Sequence, residues 1–183
     1  MRIVPLQGRS GRARFTVVDD ADFDWVASGR WQYSTDGSKT GYAGARGRWL
    51  HRRLLERRGH DLTALFVDHC NGWALDNRGI NLRTLTRAEK TKYSRKRNIH
   101  RIGKRWCVQL GQKVIGRYDT AVEAAESYEA GARAAGYFTQ QQRAELLAPM
   151  IAQLDAWVIE GLLVRHVTNA PLIEDRYRLK VGN

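Results

Sequence analysis

The sequence predicts an α+β protein, in which short antiparallel strands and helices follow one another along the chain. Three observations predict this class. Short apolar runs separated by turn residues occur in 66–85 and again in 99–118, which is typical of antiparallel strands. Each segment is followed by a Thr with a Glu three residues later, at Thr86 and at Thr120, and this capping box predicts a helix start. Apolar residues at helical spacing then occupy 147–158.

Residues 1–60 are predicted to form short strands and turns followed by one helix. Residues 14–18 alternate weakly between polar and apolar side chains, and Gly29 and Gly41 mark turns. Leu50 and Leu54 have helical spacing. We expect this helix to pack one face and to expose a cationic face that carries Arg52, Arg53, Arg57 and Arg58.

The strand pair expected in 66–85 carries the most informative residues. Asp68 and His69 place a carboxylate beside an imidazole, directly after an apolar run. The Asn-Gly pair at 71–72 offers positive φ angles for a turn, so we expect a hairpin. An isolated Asp-His pair is most often a hydrogen-bonded pair within the fold, but the Asp-Asn-Arg run at 76–78 favours a functional site.

A basic run at 90–97 separates this segment from the second group of strands. We expect it to end the helix that begins near Thr86 and to form a linker over 93–97, in which Arg95 and Lys96 contact phosphate. A solvated basic face is the alternative. The predicted domains are therefore 1–92, the linker, 98–138, and a helical extension over 139–183.

The second domain is predicted to be a three-stranded antiparallel sheet packed on one helix. Strands are expected at 99–102, 105–110 and 113–118. By two-residue alternation, one face of the middle strand carries Trp106, Val108 and Leu110. This face is expected to pack against a helix stripe made of Ala121, Ala125, Tyr128, Ala132 and Ala135. The opposite face, with Arg105, Cys107 and Gln109, is left outward.

The last segment is predicted to be an apolar helix that Pro149 bends or divides. Its stripe consists of Leu147, Met150, Ile151, Leu154, Trp157 and Val158. Such a stripe is usually core, and the alternative is a weak homodimer face. We expect a monomer in the first case.

The composition points to a nucleic-acid partner. The chain has 31 Lys and Arg against 19 Asp and Glu, a net charge of +12 and a pI near 10.2. Cationic surfaces bind phosphate backbone by releasing counterions, so nucleic acid is favoured over a small-molecule substrate or a membrane.

The start of the sequence lacks a signal-peptide pattern, and no segment is apolar enough to span a bilayer, so we expect a cytoplasmic protein. Two cysteines without paired spacing support neither a disulfide framework nor a zinc ribbon.

Three regions resemble the HNH endonuclease family, in particular its homing-endonuclease-like branch common in phages and mobile introns. Residues 17–23 with Arg30-Trp31 look like the family's amino-terminal region, Leu50-His51-Arg52 matches its helix-borne His-Arg, and 67–86 matches its site motif. The resemblance implies a beta-beta-alpha-metal fold, metal-assisted nicking or cleavage of double-stranded DNA, and a phage- or mobile-element-encoded protein in a bacterial host.

The resemblance also implies residue roles. His69 is implied as the general base that takes a proton from water, Asp68 as a ligand of magnesium or manganese, and Asn81 as a brace of the loop that holds His69. The family's second metal ligand corresponds to Lys90, and a protonated lysine has no lone pair for a metal. Three accounts are open: the site is inactive, Glu89 takes the ligand role, or the Lys90 ammonium replaces part of the metal charge.

Residues 115–120, with 123–125 and Tyr128, are similar to the APETALA-type DNA-binding domain of plant ethylene-response factors, which phage HNH proteins often carry downstream. Its sheet is expected to read the major groove, where Arg pairs with guanine and Gln with adenine. The expected contacts are Arg101, Arg105, Gln109, Lys113 and Arg117. In the first domain, the expected DNA contacts are His51, Arg52, Arg78 and Arg83. His51 is equally open to a role within the fold, and Arg78 to a role in stabilising the hairpin.

Three functions follow from this sequence. The first is an HNH endonuclease that cuts or nicks DNA, positioned by the second domain. The second is a DNA-binding regulator built on an inactive nuclease scaffold. The third is an RNA-binding protein that uses the basic sheet.

Overall fold

The strands of the protein pair into small antiparallel sheets, and its helices follow them in sequence, so the chain is α+β as the sequence predicts. The computed structural model describes residues 1–9, 13–35, 40–93, 99–111, 113–136, 139–165 and 176–180, without the side chains of 92, 93 and 140. The chain divides into two compact units. Unit 1 comprises Met1–Thr84 and Glu145–Asn183, and unit 2 comprises Leu85–Ala144.

Unit 1 contains four small sheets and three helices within its described residues. The elements before unit 2 are β1 (Arg2–Pro5), β2 (Phe15–Val18), α1 (Asp20–Ala27), β3 (Gln32–Thr35), β4 (Gly41–Ala45), β5 (Arg48–Trp49), α2 (Leu50–Arg57), β6 (Phe66–His69), a 3₁₀ turn (Gly79–Asn81) and β7 (Leu82–Leu85). The elements at the other end of the chain are α5 (Gln140–Ile159), which belongs to unit 1 from Glu145, β11 (Leu163–Arg165) and β12 (Tyr177–Leu179). β1 pairs with β2, β3–β4–β5 form a three-stranded sheet, β6 pairs with β7, and β11 pairs with β12.

The core of unit 1 draws on distant parts of the chain. Leu50 and Leu54 of α2 are fully buried, which confirms the predicted apolar face of this helix. Met150, Leu154 and Trp157 of α5 belong to the same buried cluster. A Leu or Met side chain buried in this way contributes roughly 1.5–3 kcal/mol. The carboxy-terminal helix is therefore an integral part of unit 1, and Met150, Leu154 and Trp157 of its predicted stripe are core residues.

The structure of the carboxy-terminal segment differs from the sequence prediction in two further respects, the effect of Pro149 and the domain boundary. α5 runs through Pro149 as one helix, so the proline does not divide it. The compact units also differ from the predicted boundaries, because residues from 145 onward belong with the first unit and not with a separate extension. Domain boundaries predicted from the sequence group residues that are adjacent along the chain. Burial of α5 residues instead joins the segment from 145 onward to the core formed by the first 84 residues.

Unit 2 is the predicted sheet and helix. β8 (Ile99–Ile102), β9 (Arg105–Leu110) and β10 (Lys113–Tyr118) form an antiparallel sheet in the order β10–β9–β8, followed by α4 (Ala121–Ala134). Thr120 Oγ1 accepts a hydrogen bond from the Glu123 amide, and the Glu123 carboxylate accepts one from the Thr120 amide, so the predicted capping box is present. The helix α3 (Arg87–Tyr93) begins at the other predicted box.

The packing face of α4 is shifted from the predicted stripe. Its buried residues are Ala124 and Ala132, whereas Ala121, Ala125 and Ala135 are exposed. Ser127 Oγ and the Tyr118 hydroxyl lie 2.5 Å apart. A Cβ at Gly131 would lie 2.6 Å from Leu110 and 2.9 Å from Ile115, so the absence of a side chain there permits close contact between helix and sheet. Alanine spacing alone admits two adjacent stripes, and these sheet contacts select between them.

Candidate active site

The loop between β6 and β7 is anchored on β2. The Val17 amide donates to the Leu75 carbonyl at 2.9 Å, and the Asn77 amide donates to the Val17 carbonyl at 2.8 Å. β2 pairs with β1 along its other edge, so its backbone is engaged on both sides and all four of its residues are buried. Burial on both faces explains why the sequence of β2 alternates only weakly. The loop is thereby held on a rigid strand.

The predicted hairpin is a longer loop. β6 ends at His69 and β7 begins at Leu82, so residues 70–81 separate the strands. Gly72 has a φ of 79°, while Asn71 is not among the residues with positive φ, so the Asn-Gly pair does not form the two-residue turn that the sequence suggested. The Asn71 side chain instead accepts a hydrogen bond from the Trp73 amide at 2.8 Å, which shapes the loop locally.

Asn81 braces this loop from the inside. Its Oδ1 accepts from the Asn71 amide at 2.8 Å, and its Nδ2 donates to the Asp76 carbonyl at 2.7 Å. The Cys70 amide, directly after His69, donates to the Asn81 carbonyl at 2.8 Å. Asn81 is fully buried, so each of these bonds satisfies a group that has lost contact with water. Asn81 thus joins three points of the loop that follows His69.

A buried ion pair stabilises the same loop. Asp76 is 0% exposed, and Arg78 donates to it through Nε at 2.8 Å and Nη2 at 2.7 Å. Asn71 Nδ2 donates to Asp76 Oδ2 at 2.7 Å. The hydrogen bond to Asp76 raises the pKa of Arg78 above its usual value. Arg78 is itself buried and bound to this carboxylate, which favours the stabilising role over that of a phosphate clamp.

A chain of hydrogen bonds sets the protonation of the His69 ring. Thr16 Oγ1 donates to the Leu75 carbonyl at 2.8 Å, and the same oxygen accepts from Asn77 Nδ2 at 2.8 Å. The Asn77 amide therefore directs its Oδ1 to His69 Nε2, at 3.3 Å. Because an amide oxygen only accepts, Nε2 carries the proton and Nδ1 keeps its lone pair. The arrangement assigns Nδ1 as the basic atom of His69.

His69 lies in a small aromatic cluster with His51 and Tyr42. The rings of His51 and His69 are 5.2 Å apart and nearly perpendicular, and Tyr42 lies 5.5 Å from His51 and 6.1 Å from His69. Burial, with the charge of His69 and then of Arg52, lowers the pKa of His51 to about 3. Burial also lowers the pKa of His69, against the opposing effects of Asn77, Asp76 and Asp68. Both imidazoles are therefore neutral near pH 7.

Asp68 is held by Arg83. Arg83 donates to Asp68 Oδ2 through Nε at 2.9 Å and through Nη2 at 2.7 Å. No bond to Asp68 Oδ1 is found within the part of the chain that the structure describes. Among those residues, no three His, Cys, Asp or Glu side chains lie together as a metal-ligand set. Magnesium commonly uses one or two carboxylates with water and substrate phosphate, so a single oxygen of Asp68 meets the minimum for such an ion.

Glu89, which one of the three open accounts makes the second metal ligand, is used within its own helix. Glu89 Oε2 accepts from both the amide and the hydroxyl of Thr86, each at 2.7 Å, and thereby closes the predicted capping box. The Thr86 hydroxyl also accepts from the Glu89 amide at 3.3 Å. The Glu89 carboxylate is therefore used as a helix cap, which disfavours it as a metal ligand.

The predicted DNA contacts of unit 1 are largely engaged within the fold. Arg52 donates to the Leu65 carbonyl at 3.1 Å and to the Leu62 carbonyl at 2.8 Å, so it fastens the segment before β6. Arg83 holds Asp68, and His51 is buried against His69. The predicted phosphate contacts Arg95 and Lys96 lie outside the described residues.

The register of the unit 2 sheet divides the five predicted base-reading residues. Residues directly opposite each other in antiparallel strands point to the same face. Arg101 pairs with Trp106, and Lys113 pairs with Leu110, which packs towards α4. Those two cations therefore belong to the helix-side face. The other face carries Arg105, Gln109 and Arg117, which remain together as predicted.

Arg105 is also constrained on its own face. Its Nε lies 2.9 Å from Asp119 Oδ1, and its Nη2 donates to the Arg117 carbonyl at 3.0 Å. Both side chains of the ion pair are more than half exposed, so water or a phosphate competes readily with it. The sheet face is accessible at Arg105 and Arg117, whereas Cys107 between them is buried.

Sequence reasoning missed Thr16, Asn77 and Tyr42 as parts of the site. Asn77 belonged to the recognised Asp-Asn-Arg run, but no contact with His69 was predicted for it. Thr16 lies 61 residues from Asn77, in a strand that showed no polar motif. The one sequence signal for Thr16 is its position within an otherwise apolar strand, Phe15–Val18, because a buried hydroxyl needs a hydrogen-bond partner.

Comparison with protein-family models, with curated protein sequences and with solved structures finds no match for this chain. No helix of the described residues is both long enough and apolar enough to cross a membrane.

Proposed function

We propose that this protein is a DNA endonuclease of the HNH type, with His69 as its general base. The observation that carries the proposal is the neutral His69 ring, whose Nε2 proton is held by Asn77 and whose Nδ1 lone pair is kept. Asn81 braces the loop that follows His69, and Asp68 directly precedes it. The net charge of +12 supports a polyanionic substrate.

In this proposal His69 Nδ1 accepts the proton of the attacking water, and the resulting imidazolium keeps its Nε2–H bond to Asn77 Oδ1. The nearby carboxylates of Asp76 and Asp68 favour the protonated ring, while burial opposes it. A divalent ion, magnesium or manganese, would be held by Asp68 and would neutralise charge on the phosphate. Asn77 and Thr16 orient the ring, so the protonated nitrogen is occupied and the basic nitrogen is the one left to accept a proton from water.

Conversion of supercoiled plasmid to the open-circle form tests the proposal. With magnesium present, His69→Ala should lower the rate by about 10²–10⁴-fold, the usual contribution of a general base. His60→Ala removes an exposed histidine of the same unit and serves as the matched control, with an unchanged rate expected. Equal nicking by wild type and His69→Ala would show that His69 is not the base.

A DNA-binding regulator on an inactive nuclease scaffold is the second candidate. It is favoured by the Arg83 guanidinium on Asp68, which places a positive charge where a metal would bind, and by Lys90 at the expected second ligand position. Wild type that binds duplex DNA without nicking it, together with nicking by Lys90→Asn or Lys90→Asn/Arg83→Gln, would select this candidate. Nicking by wild type that His69→Ala abolishes would reject it.

A further inference from the structure

A group of arginines in unit 1 surrounds a cavity that the site described above does not use. The cavity measures about 470 Å³ and lies between residues 28–32, the β4–β5 turn and α2. Two smaller cavities share lining residues with it: one of about 230 Å³ shares Gln32, Ala45 and Arg46, and one of about 270 Å³ shares Arg53. Five arginines and one carboxylate line the three cavities: Arg30, Arg46, Arg48, Arg52, Arg53 and Glu56. We call Arg30, Arg46 and Arg53, which line the largest of these three cavities, the arginine groove.

The positive charge of the arginine groove is not neutralised within the described residues. Neither Arg30 nor Arg46 takes part in an ion pair or hydrogen bond there, and no acidic residue lines the largest cavity. Among the residues that line the three cavities, the one carboxylate is that of Glu56, which lies 3.7 Å from Arg48 in an exposed pair. Arg30, Arg46 and Arg53 line one cavity that holds no acidic side chain, so a bound anion there would meet three positive charges.

Arg46 occupies a conformation that disfavours its side chain. Residues 46 and 47 form the two-residue turn between Ala45 and Arg48, with φ angles of 51° and 73°. Turns of this kind favour Asn-Gly, because glycine has no Cβ and asparagine tolerates a positive φ, whereas other residues with a Cβ are strained there. An arginine at this position gives up stability in the turn, and it lines the cavity. A cationic side chain here is therefore more readily explained by a ligand than by the fold.

Arg53 is oriented before any ligand binds. Its guanidinium lies 5.3 Å from the Trp25 ring and 5.6 Å from the Trp31 ring. A guanidinium that rests on aromatic faces keeps its edge N–H groups free to donate to a phosphate. Trp31 is only 2% exposed, and its Nε1 donates to the Val26 carbonyl at 2.8 Å, so this ring forms the floor and is not available to stack on a base. The groove thus offers charge and hydrogen-bond donors without a surface for base recognition.

We propose that the arginine groove binds the phosphodiester backbone of duplex DNA, at phosphates other than the one that is cleaved. This inference rests on the proposed DNA-directed function. Arg53 follows His51 by two residues on α2, which is roughly 200° around the helix axis. His51 contacts the His69 ring, so the groove lies on a different side of α2 from the site. The groove therefore contributes affinity that is independent of base sequence, and it leaves the chemical step unchanged.

Duplex binding over a range of salt concentrations tests this inference. Affinity for a fluorescently labelled DNA duplex is measured by anisotropy in EDTA, so no cleavage occurs. The variants Arg30→Gln, Arg46→Asn and Arg53→Gln should each lower the slope of log K against log salt by about 0.9, the value for one phosphate contact. Arg2→Gln removes an exposed arginine that lies over the Phe23 ring, outside the cavity, and should leave the slope unchanged.

Arg46→Asn separates binding from folding. Asn is the favoured residue at this turn position, so the variant should have a melting temperature equal to or above that of wild type while it binds DNA more weakly. Its nicking rate at saturating DNA should equal that of wild type, because only ground-state affinity is lost. A lower melting temperature with an unchanged salt slope would show that Arg46 serves the turn, and would overturn the inference.

The remaining outcomes distinguish this inference from the proposed function. If wild type binds duplex and the three variants have the wild-type slope, the arginine groove is not a backbone site, although the proposed function stands. If wild type binds no duplex, the proposed function itself fails. Inorganic phosphate that replaces chloride at equal ionic strength should leave duplex affinity within about twofold. Selective competition by inorganic phosphate would instead identify an isolated-anion site and overturn the assignment to duplex.

Discussion

The loop at 70–81 in unit 1 and the sheet of unit 2 place polar side chains in opposite ways. In the loop, Asp76, Asn77 and Asn81 are almost completely buried, and each meets defined hydrogen-bond partners. In the sheet, Arg105 and Arg117 are exposed, and the Arg105 ion pair with Asp119 is open to solvent. Burial makes an unsatisfied polar group costly, so the loop has one geometry, whereas the exposed sheet residues can exchange partners. The first arrangement suits a reactive site and the second suits contact with another molecule.

The largest effect is expected from Asp76→Ala. The change leaves the buried Arg78 guanidinium without its carboxylate, which should lower the free energy of unfolding of unit 1 by about 3–5 kcal/mol. Urea denaturation followed by circular dichroism measures it. A loss below about 1 kcal/mol would mean that Arg78 finds water or another acceptor, and that the loop is less tightly specified than its contacts indicate.

Thr16→Val tests the hydrogen-bond chain to His69. Valine has the shape of threonine but no hydroxyl, so Asn77 Nδ2 loses its acceptor, at a cost of about 1–3 kcal/mol. The Asn77 amide is then free to turn, and the His69 ring should lose its preference for the proton on Nε2. Long-range ¹H–¹⁵N NMR correlations of the imidazole report this tautomer directly.

Thr16→Ser keeps the hydroxyl and is the matched control for that experiment. It should preserve the wild-type tautomer of His69 and should retain more nicking activity than Thr16→Val. A wild-type ring protonated on Nδ1, or a tautomer that does not respond to loss of the hydroxyl, would refute the assignment of Nδ1 as the basic atom.

The buried imidazoles predict a defined pH dependence of stability. The folded-state pKa of His51 is about 3, below the ordinary value of 6.5, so the unfolded chain binds more protons between these values and stability falls as the pH falls through 6.5. Between pH 7 and pH 5, His51 should account for a loss of about 2 kcal/mol. His51→Gln removes the titrating ring, so its unfolding free energy should depend less on pH over this range. Parallel curves for the two proteins would contradict the neutral buried ring.

The smallest effect is expected from Asp119→Ala, which breaks the exposed ion pair with Arg105. The free energy of unfolding of unit 2 should change by less than about 1 kcal/mol, because solvent screens the pair and its side chains gain freedom. Duplex affinity should rise slightly, since the change frees a guanidinium and removes a negative charge from the sheet. A destabilisation as large as that of Asp76→Ala would erase the contrast between the two regions.

Local features were read correctly from the sequence. β8, β9 and β10 coincide with the predicted strands, and the Thr86 and Thr120 capping boxes form as expected, because turn glycines and caps act within a few residues. The face of the unit 2 sheet on which each side chain lies was harder to predict from the sequence. The sheet register and the bulge between Val114 and Gly116 decide which face each side chain occupies, and they place Lys113 apart from Arg117. A shift of one residue reverses such an assignment.

Tertiary contacts also decide what the carboxy-terminal helix packs against. The periodicity of 147–158 predicts a helix with an apolar stripe but not its partner. In the folded chain Met150 and Leu154 belong to the core of unit 1. A truncation that removes residues 98–183 would therefore unfold unit 1, so point substitutions such as Arg117→Gln are the appropriate test of the sheet in DNA binding.

The sequence by itself determined the α+β class, the strands and helix caps, and the candidate residues Asp68, His69 and Asn81, because each depends on neighbours along the chain. Tertiary structure decided which atom of His69 is basic, through Thr16, and it placed His51 against His69 and Arg83 on Asp68. It also gathered Arg30, Arg46 and Arg53 around one cavity. These features join residues that are distant in sequence, and their partners are selected by burial and packing, which no local pattern encodes.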